Sequence, residues 1–189
     1  ESAKLGYSWR IEARNGGFFP LQCAVSNGDR VVTVTLPDGE VEIFRAKAEP
    51  ECGEGFTAQT RVQMVFEPID DTHATLEQST CGLLAIATTA GSGVYNMVDP
   101  EQPNEPADPR LYRLTTPEGL VYELDQNFGI RRVIEPGGQS LTYSTTGVVH
   151  TSGVGIQSVR DPQGRIRDLV LPDGGIVSYV YTASGDLDS

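Results

Sequence analysis

The feature of this sequence that most limits its fold is a recurring Pro-x-Gly tripeptide. With 12 prolines and 21 glycines among 189 residues, random placement predicts about 1.3 copies. Five copies occur, at Pro37 with Gly39, Pro117 with Gly119, Pro136 with Gly138, Pro162 with Gly164, and Pro172 with Gly174. The excess indicates a structural unit that is used repeatedly.

The chemistry of the tripeptide is that of a tight turn. Proline presets the φ angle required at the first corner, and glycine adopts the positive φ that closes a type I turn with a bulge. A β-branched residue in place of the glycine would strain the backbone. We therefore assign the five prolines and five glycines a structural role in hairpin turns.

Apolar and aromatic residues stand at fixed distances from these turns. Three positions before and seven positions after each proline are Val34 and Phe44, Leu114 and Leu124, Val133 and Tyr143, Val159 and Leu169, Leu169 and Tyr179. Two strands that face each other across a turn can bury such residues on a shared side. The spacing predicts this shared side for all five units.

The first unit illustrates the expected hairpin. Before Pro37 the apolar residues of segment 32–36 alternate with threonine, and after it Val41 and Ile43 alternate with Glu40 and Glu42. Alternation with a period of two is typical of a half-buried strand. The pattern predicts a half-buried hairpin.

Helical periodicity is weak throughout the chain. The best helical candidate, residues 80–90, is interrupted by Gly82 and rich in threonine, so we assign it to strand or loop. A chain of 189 residues is long enough to bury a core. The predicted fold is all-β, with consecutive antiparallel β-hairpins forming a curved sheet or a partial shell.

The distribution of the turn units divides the chain into three regions. Residues 1–48 contain the first hairpin, residues 49–110 lack the unit, and residues 111–189 hold the other four copies. The middle region is predicted to be an insertion or a separate sheet, with one alternating strand through Val62, Met64 and Phe66. It ends in an acidic stretch, 99–109, with proline at every third position.

Two structural interpretations of this proline-rich stretch are open. Its spacing suits an extended polyproline conformation that presents a recognition ligand, or it is a solvated acidic connection. We favour the solvated connection because such loops are common.

Charge and hydropathy exclude two classes of partner. The net charge of −12 repels phosphate backbones and anionic lipid surfaces, and the longest apolar run, residues 83–87, is far shorter than a membrane span. We therefore expect neither nucleic acid binding nor membrane insertion.

The cysteines and histidines do not form a metal motif. Cys23, Cys52 and Cys81 have no CxxC spacing, and His73 and His150 are the only histidines, which argues against a zinc site. One disulfide with a leftover thiol and three free thiols are equally compatible with the count.

Motifs for catalysis are lacking as well. There is no nucleophile elbow and no phosphate loop, and segment 91–96 lacks the third glycine of a dinucleotide fingerprint. Asp70 and Asp71 beside His73 permit a hydrolase hypothesis, but adjacent carboxylates in a polar turn are usually solvated. We predict no enzyme activity and no catalytic, cofactor-binding or metal-binding residue.

Four aromatic residues near the N-terminus offer another kind of site. Tyr7, Trp9, Phe18 and Phe19 suit either a stacking platform for sugars or one layer of the core. The core is favoured because aromatic side chains dominate burial.

The C-terminal third of the chain resembles a known repeat. It contains Val159-Arg160-Asp161-Pro162-Gln163-Gly164-Arg165-Ile166, Leu171-Pro172-Asp173-Gly174-Gly175 and Tyr179-Val180-Tyr181-Thr182-Ala183-Ser184-Gly185. These segments resemble the tyrosine-aspartate (YD) repeat of the Rhs family. Weaker copies are Tyr143-Ser144-Thr145-Thr146-Gly147 and residues 124–130, and Leu5-Gly6-Tyr7-Ser8-Trp9 resembles the segment that often begins an Rhs repeat region.

The resemblance covers residues 1–48 and 111–189 and has two departures. Thr182 and Ser144 stand where the family has its name-giving aspartate, and the family's autoproteolytic segment has no match. No catalytic aspartate is carried over.

The resemblance implies a ribbon of hairpins that spirals into a hollow shell around a C-terminal cargo. This chain would then be a structural segment of the wall in a secreted or cell-surface protein, cut from a longer polypeptide. Its partners would be the remainder of its parent chain, a cargo domain, or a second copy through exposed strand edges. The alternative is a free-standing extracellular β-module that binds glycan or protein.

Overall fold

The structure is a computed structural model that describes residues 8–14, 21–26, 31–53, 61–88 and 95–188. Every regular element in these ranges is a β-strand, and the strands pair antiparallel. The prediction of an all-β fold built from antiparallel hairpins is therefore confirmed. None of these ranges includes a helix that could cross a membrane.

Eighteen strands follow one another in the described residues. They are β1 (Ser8–Arg14), β2 (Leu21–Ser26), β3 (Val31–Thr35), β4 (Val41–Glu49), β5 (Cys52–Gly53), β6 (Arg61–Pro68), β7 (Thr75–Gln78), β8 (Leu84–Thr88), β9 (Tyr95–Asp99), β10 (Gln102–Pro106), β11 (Leu111–Thr115), β12 (Val121–Asp125), β13 (Gly129–Ile134), β14 (Ser140–Ser144), β15 (Gly147–His150), β16 (Gly155–Arg160), β17 (Ile166–Val170) and β18 (Ile176–Ser178).

Two sheets of nine strands contain all of these elements. The first sheet has the order β3-β4-β6-β8-β9-β1-β2-β5, with β10 beside β9. The second has the order β18-β17-β16-β15-β14-β13-β12-β11-β7. From β11 to β18 the second sheet is a meander in which each strand lies beside its neighbours in sequence. One of the two sheets curls into a half-barrel.

The hydrophobic core joins the first sheet to one side of the second. Trp9, Phe44 and Leu84 of the first sheet are fully buried, and they belong to the same cluster as Leu114 and Tyr122 of the second. The rings of Phe66 on β6 and Tyr112 on β11 meet edge to face, with centroids 5.6 Å apart. Burial is therefore concentrated before β13.

Strand β4 buries the side that carries Phe44, which is the side expected from the spacing of the first turn unit. Glu42 is 2% exposed and Phe44 is fully buried, whereas Val41 is 49% exposed. The first hairpin is half-buried, as predicted, and Glu42 lies on its buried side. The alternation exists, but the apolar row that continues through Phe44, Ala46 and Ala48 decides which side is buried.

Strand pairing links the first two regions of the sequence. Strand β4 pairs with β6 across the boundary at residue 49, from Phe44 opposite Pro68 to Glu49 opposite Gln63. Val62, Met64 and Phe66 alternate inward on β6, as predicted. Strand β7 lies instead in the second sheet, beside β11. The middle region therefore contributes to both sheets rather than forming a sheet of its own.

The proline-rich stretch is partly built into the first sheet. Strand β10 pairs with β9, with Gln102 opposite Asp99 and Pro106 opposite Val98. The N–H of Ala107 donates to the Met97 carbonyl at 2.7 Å, and Pro109 is fully buried. Part of the predicted connection is therefore a strand of the sheet, while Glu101 and Asp108 on either side of it are exposed.

Residues 80–88 contain strand and loop but no helix, with β8 beginning at Leu84. Residues 89 and 90 lie outside the described ranges.

The cysteine pairing left open by the sequence is resolved. Cys23 and Cys52 lie opposite each other on β2 and β5 and form a disulfide. Cys81 is a free thiol. Burial raises the pKa of the Cys81 thiol above its usual value, and the charges of Asp108 and Asp99 add to the effect.

Candidate functional site

The Pro-x-Gly turns share one backbone geometry. Their glycines have φ between 82° and 92°. In the first, the N–H of Gly39 donates to the Leu36 carbonyl at 3.0 Å, and the N–H of Leu36 donates to the Glu40 carbonyl at 2.8 Å. The same pair of bonds recurs at the other four turns. The identical hydrogen bonds show that the turn is a repeated structural unit.

Two further turns have this geometry without proline. Gly153 and Gly185 have φ of 85° and 94°. Their N–H groups donate to the carbonyls of His150 and Thr182, at 2.9 and 3.0 Å. Thr151 and Ala183 stand in the place of the proline. A search based on proline misses these turns, and the glycine is the signal that would have found them.

The flanking apolar pairs follow the predicted rule in some units but not in all. In the units of Pro37, Pro117 and Pro136, the residue three positions before the proline lies opposite the residue five positions after it. Because side chains alternate along a strand, the residue seven positions after the proline lies on the same face as these two. In the Pro162 unit, however, Val159 lies opposite Asp168, and Leu169 lies opposite Ser158.

Val159 and Leu169 therefore occupy opposite faces of the second sheet, and the predicted shared side is wrong for that unit. The reason is a β-bulge: Arg160 pairs with Ile166, so Arg167 is inserted as an extra residue.

A matching bulge lies earlier in the second sheet, between β12 and β13. Glu123 pairs with Arg132 and Leu124 pairs with Ile130, so Arg131 is the extra residue. Arg131 and Arg167 are 36 positions apart in the sequence. The second sheet thus repeats at a period longer than one hairpin.

The repeat includes the turns that precede the bulges. Asp125 and Asp161, also 36 positions apart, each accept a backbone N–H two residues on, from Asn127 at 2.9 Å and from Gln163 at 3.0 Å. Each carboxylate also binds an arginine. The same separation relates Ile130 to Ile166, Pro136 to Pro172, Gly138 to Gly174 and Tyr143 to Tyr179.

The arginines keep both carboxylates ionised. Burial alone would raise the pKa of Asp125, but hydrogen bonds from Arg110 and Asn127, with the charges of Arg110 and Arg131, lower it. Burial likewise acts on Asp161, and the hydrogen bonds and charge of Arg165 outweigh it. Both pKa values lie below the usual value for aspartate, so both carboxylates are ionised at neutral pH. Asp161 then pairs with Arg165 of its own turn, whereas Asp125 pairs with Arg110, the residue before β11.

One face of the second sheet carries an apolar row that crosses from the core to solvent. Leu76, Leu114, Tyr122, Val133 and Leu141 lie directly opposite one another on successive strands. The first three are buried, Val133 is half-buried and Leu141 is exposed.

The exposure continues from β14 onward. Tyr143, Ile156 and Val177 are exposed as well. The hairpins from β14 onward thus present apolar surface that lies outside the core cluster.

The acidic turn considered for catalysis is solvated. Asp70, Asp71 and His73 are all exposed in the loop between β6 and β7, and Asp70 has a φ of 56°. Among the described residues no group of three or more histidine, cysteine or acidic side chains is placed to hold a metal.

The aromatic residues considered for sugar stacking are only partly described. Trp9 is 1% exposed and belongs to the core, so it offers no ring face to a sugar. Tyr7, Phe18 and Phe19 lie outside the described residues, as do positions 91–94 of the glycine-containing segment. The core reading holds for Trp9.

Comparison with known families adds no identification. No protein-family model matches the chain, and no curated protein matches it. The internal repeat of the second sheet is therefore the main structural guide to function.

Proposed function

We propose that this chain is a structural segment of an Rhs/YD-repeat shell wall that encapsulates or displays a C-terminal cargo. The observation that carries the proposal is the pairing of the second sheet, in which β11 to β18 each lie beside their sequence neighbours. A ribbon of this kind lengthens by adding hairpins without rearranging those already present. That is the property a shell wall requires.

The recurring parts support the same proposal. Seven turns in the described part of the chain share one bonding pattern, and the aspartate and the bulge recur after 36 residues. The apolar row that emerges from the core at Leu141 gives the ribbon a surface for further protein to cover. In a wall, the cargo or the next turn of the spiral would cover it.

The disulfide supports a secreted or cell-surface location for the parent protein. Cys23 and Cys52 form a cross-strand bridge, and such bridges persist mainly in oxidising compartments. The proposed partners are the rest of the parent chain and the cargo domain, with a second copy as a further partner through the β18 edge.

The natural gene product can be used to test this proposal. We would isolate it from its source, measure its mass and image it by electron cryomicroscopy. The expected result is a longer polypeptide in which further hairpins continue from β18 around an enclosed or displayed domain. A natural product that ends at Ser189, or a continuation without hairpins, would overturn the proposal.

A further inference from the structure

A groove at one rim of the second sheet carries more positive charge than its own carboxylates balance. It has a volume of about 490 Å³ and includes Arg110, Asp125, Phe128, Arg131, Tyr143 and Arg160 in its lining. Three guanidinium groups thus surround one carboxylate, in a chain whose net charge is −12. A positively charged groove in a strongly negative protein is not explained by the overall composition of the chain.

The one carboxylate is already committed to Arg110. The Arg110 guanidinium lies 3.1 to 3.3 Å from the Asp125 oxygens, and the Asp125 side chain is 1% exposed. Arg131 is 4.0 Å away, at the outer limit of an ion pair. Asp125 therefore neutralises one arginine of the three.

Arg131 is surplus because of the bulge that contains it. On the neighbouring strands, opposite charges face each other directly: Glu77 opposite Arg113, Arg113 opposite Glu123, and Glu123 opposite Arg132. The bulge places Arg131 outside this series. Its side chain is 58% exposed and available to a ligand.

Arg160 is held in place by neutral groups. Its Nε donates to the Thr145 carbonyl at 3.2 Å and its Nη1 to the Gly164 carbonyl at 2.7 Å. In the described part of the chain it has no carboxylate partner within ion-pair distance. These two bonds orient the guanidinium and leave other N–H groups for an external acceptor.

Phe128 adds an apolar contact to this basic groove. It is 74% exposed, and the Arg110 guanidinium lies 5.5 Å from its ring centroid. An exposed aromatic ring beside arginines is the composition of an energetic anchor in protein interfaces. The groove thus offers both charge and apolar area to a partner.

We propose that this groove binds an extended acidic peptide that carries an aromatic or aliphatic side chain. Peptide carboxylates would pair with Arg131 and Arg160, and the apolar side chain would pack on Phe128. A nucleic acid is disfavoured because a long polyphosphate meets the repulsion of the whole chain, whereas a short peptide does not. The inference is independent of the shell proposal.

The experiment measures fluorescence anisotropy of a labelled Glu-Glu-Phe-Glu-Glu peptide at low salt, with Gln-Gln-Phe-Gln-Gln as the uncharged probe. We expect the acidic peptide to bind at least about tenfold more tightly, since charge-assisted bonds dominate. Arg131→Gln and Phe128→Ala should each weaken its binding about tenfold. Two variants keep the test valid if one fails to fold.

The matched control is Arg167→Gln, which makes the same change of charge at the equivalent bulge. Arg167 is 59% exposed, binds Asp168 and lies outside the groove. It should change peptide affinity less than about twofold. Equal losses in both arginine variants, equal binding of the two peptides, no binding, or tighter binding of single-stranded DNA would overturn the proposal.

Discussion

Asp161 binds Arg165 at two points within one turn. Its Oδ2 accepts from Nε of Arg165 at 2.7 Å, while its Oδ1 accepts the backbone N–H of the same residue at 2.9 Å. The guanidinium also stacks over Tyr181, 4.3 Å from the ring centroid. This one carboxylate therefore connects the turn, the bulged strand β17 and the hairpin that follows β18.

That arrangement predicts a pH dependence of stability. The pKa of Asp161 is lower in the folded protein than in the unfolded chain. Its contribution is therefore present above the unfolded pKa and lost as the pH falls through the folded pKa, below about pH 4. Asp161→Asn should lower the urea midpoint at pH 7, and the difference from wild type should shrink towards pH 3.

Asp173→Asn is the control for this experiment. Asp173 accepts the N–H of Gly175 at 2.8 Å in an equivalent turn and forms no ion pair within the described residues. Its replacement should leave the urea midpoint nearly unchanged at both pH values. A constant deficit for Asp161→Asn from pH 7 to pH 3 would contradict the ion-pair explanation.

The turn glycines predict a cost of backbone strain. Gly164 has a φ of 83°, and a Cβ there would have no atom within 4 Å. Gly164→Ala should therefore lower the free energy of unfolding by about 1 to 2 kcal/mol through strain alone. Gly137→Ala, also free of contacts but without positive φ, should be close to neutral in the same denaturant titration. Equal effects of the two changes would refute this account.

The disulfide predicts a clear gain in stability. It closes a loop between residues 29 positions apart, so replacing Cys23 and Cys52 by alanine should cost about 2 to 4 kcal/mol. Cys81→Ser, which removes the free thiol, is the control in the same thermal unfolding experiment. A reducing agent should destabilise wild type and leave the double variant unaffected.

The exposed end of the second sheet predicts self-association. Ile176 on β18 is exposed, and an edge strand with apolar side chains favours pairing with another copy. Sedimentation should show a concentration-dependent species that Ile176→Lys reduces. Leu83→Lys, at an exposed leucine in the loop before β8, should leave the species unchanged. A monomer at all concentrations would contradict this prediction.

The fold class could be predicted because turn chemistry is local. The φ angle required at Gly39 or Gly174 is a property of a few residues, and those residues are visible in the sequence. The same locality would have revealed the turns at Gly153 and Gly185, since backbone bonds close them without proline. Proline is therefore not necessary for this turn, and the glycine is the better sequence signal.

The burial of Glu42 could not be predicted from the residues around it. Glu42 is buried because it shares a side with Phe44, and the burial of that side depends on a sheet formed by residues distant in sequence. An alternating pattern shows that a segment is a strand, but it does not show which of the two faces is buried. A charged residue in the buried row therefore misleads any local reading.

The basic groove around Arg131 could not be predicted from the sequence for a related reason. The pairing of Arg110 with Asp125 joins residues 15 positions apart, and the surplus of Arg131 appears only when strand register shows the bulge. One signal was available: Ile130-Arg131 and Ile166-Arg167 have the same separation as Asp125 and Asp161. An alignment of the chain with itself at 36 residues would have shown it.

The meander of β11 to β18 also determines how the chain responds to mechanical load. Because each strand from β12 to β18 lies only beside its sequence neighbours, pulling on the C-terminus would detach one strand at a time, starting with β18. Each step breaks the bonds of a single strand pair, so the force needed stays low and nearly constant. Resistance would rise at β12 and β11, where Tyr122 and Leu114 enter the core. The C-terminal hairpins would then extend under tension while the core remained folded.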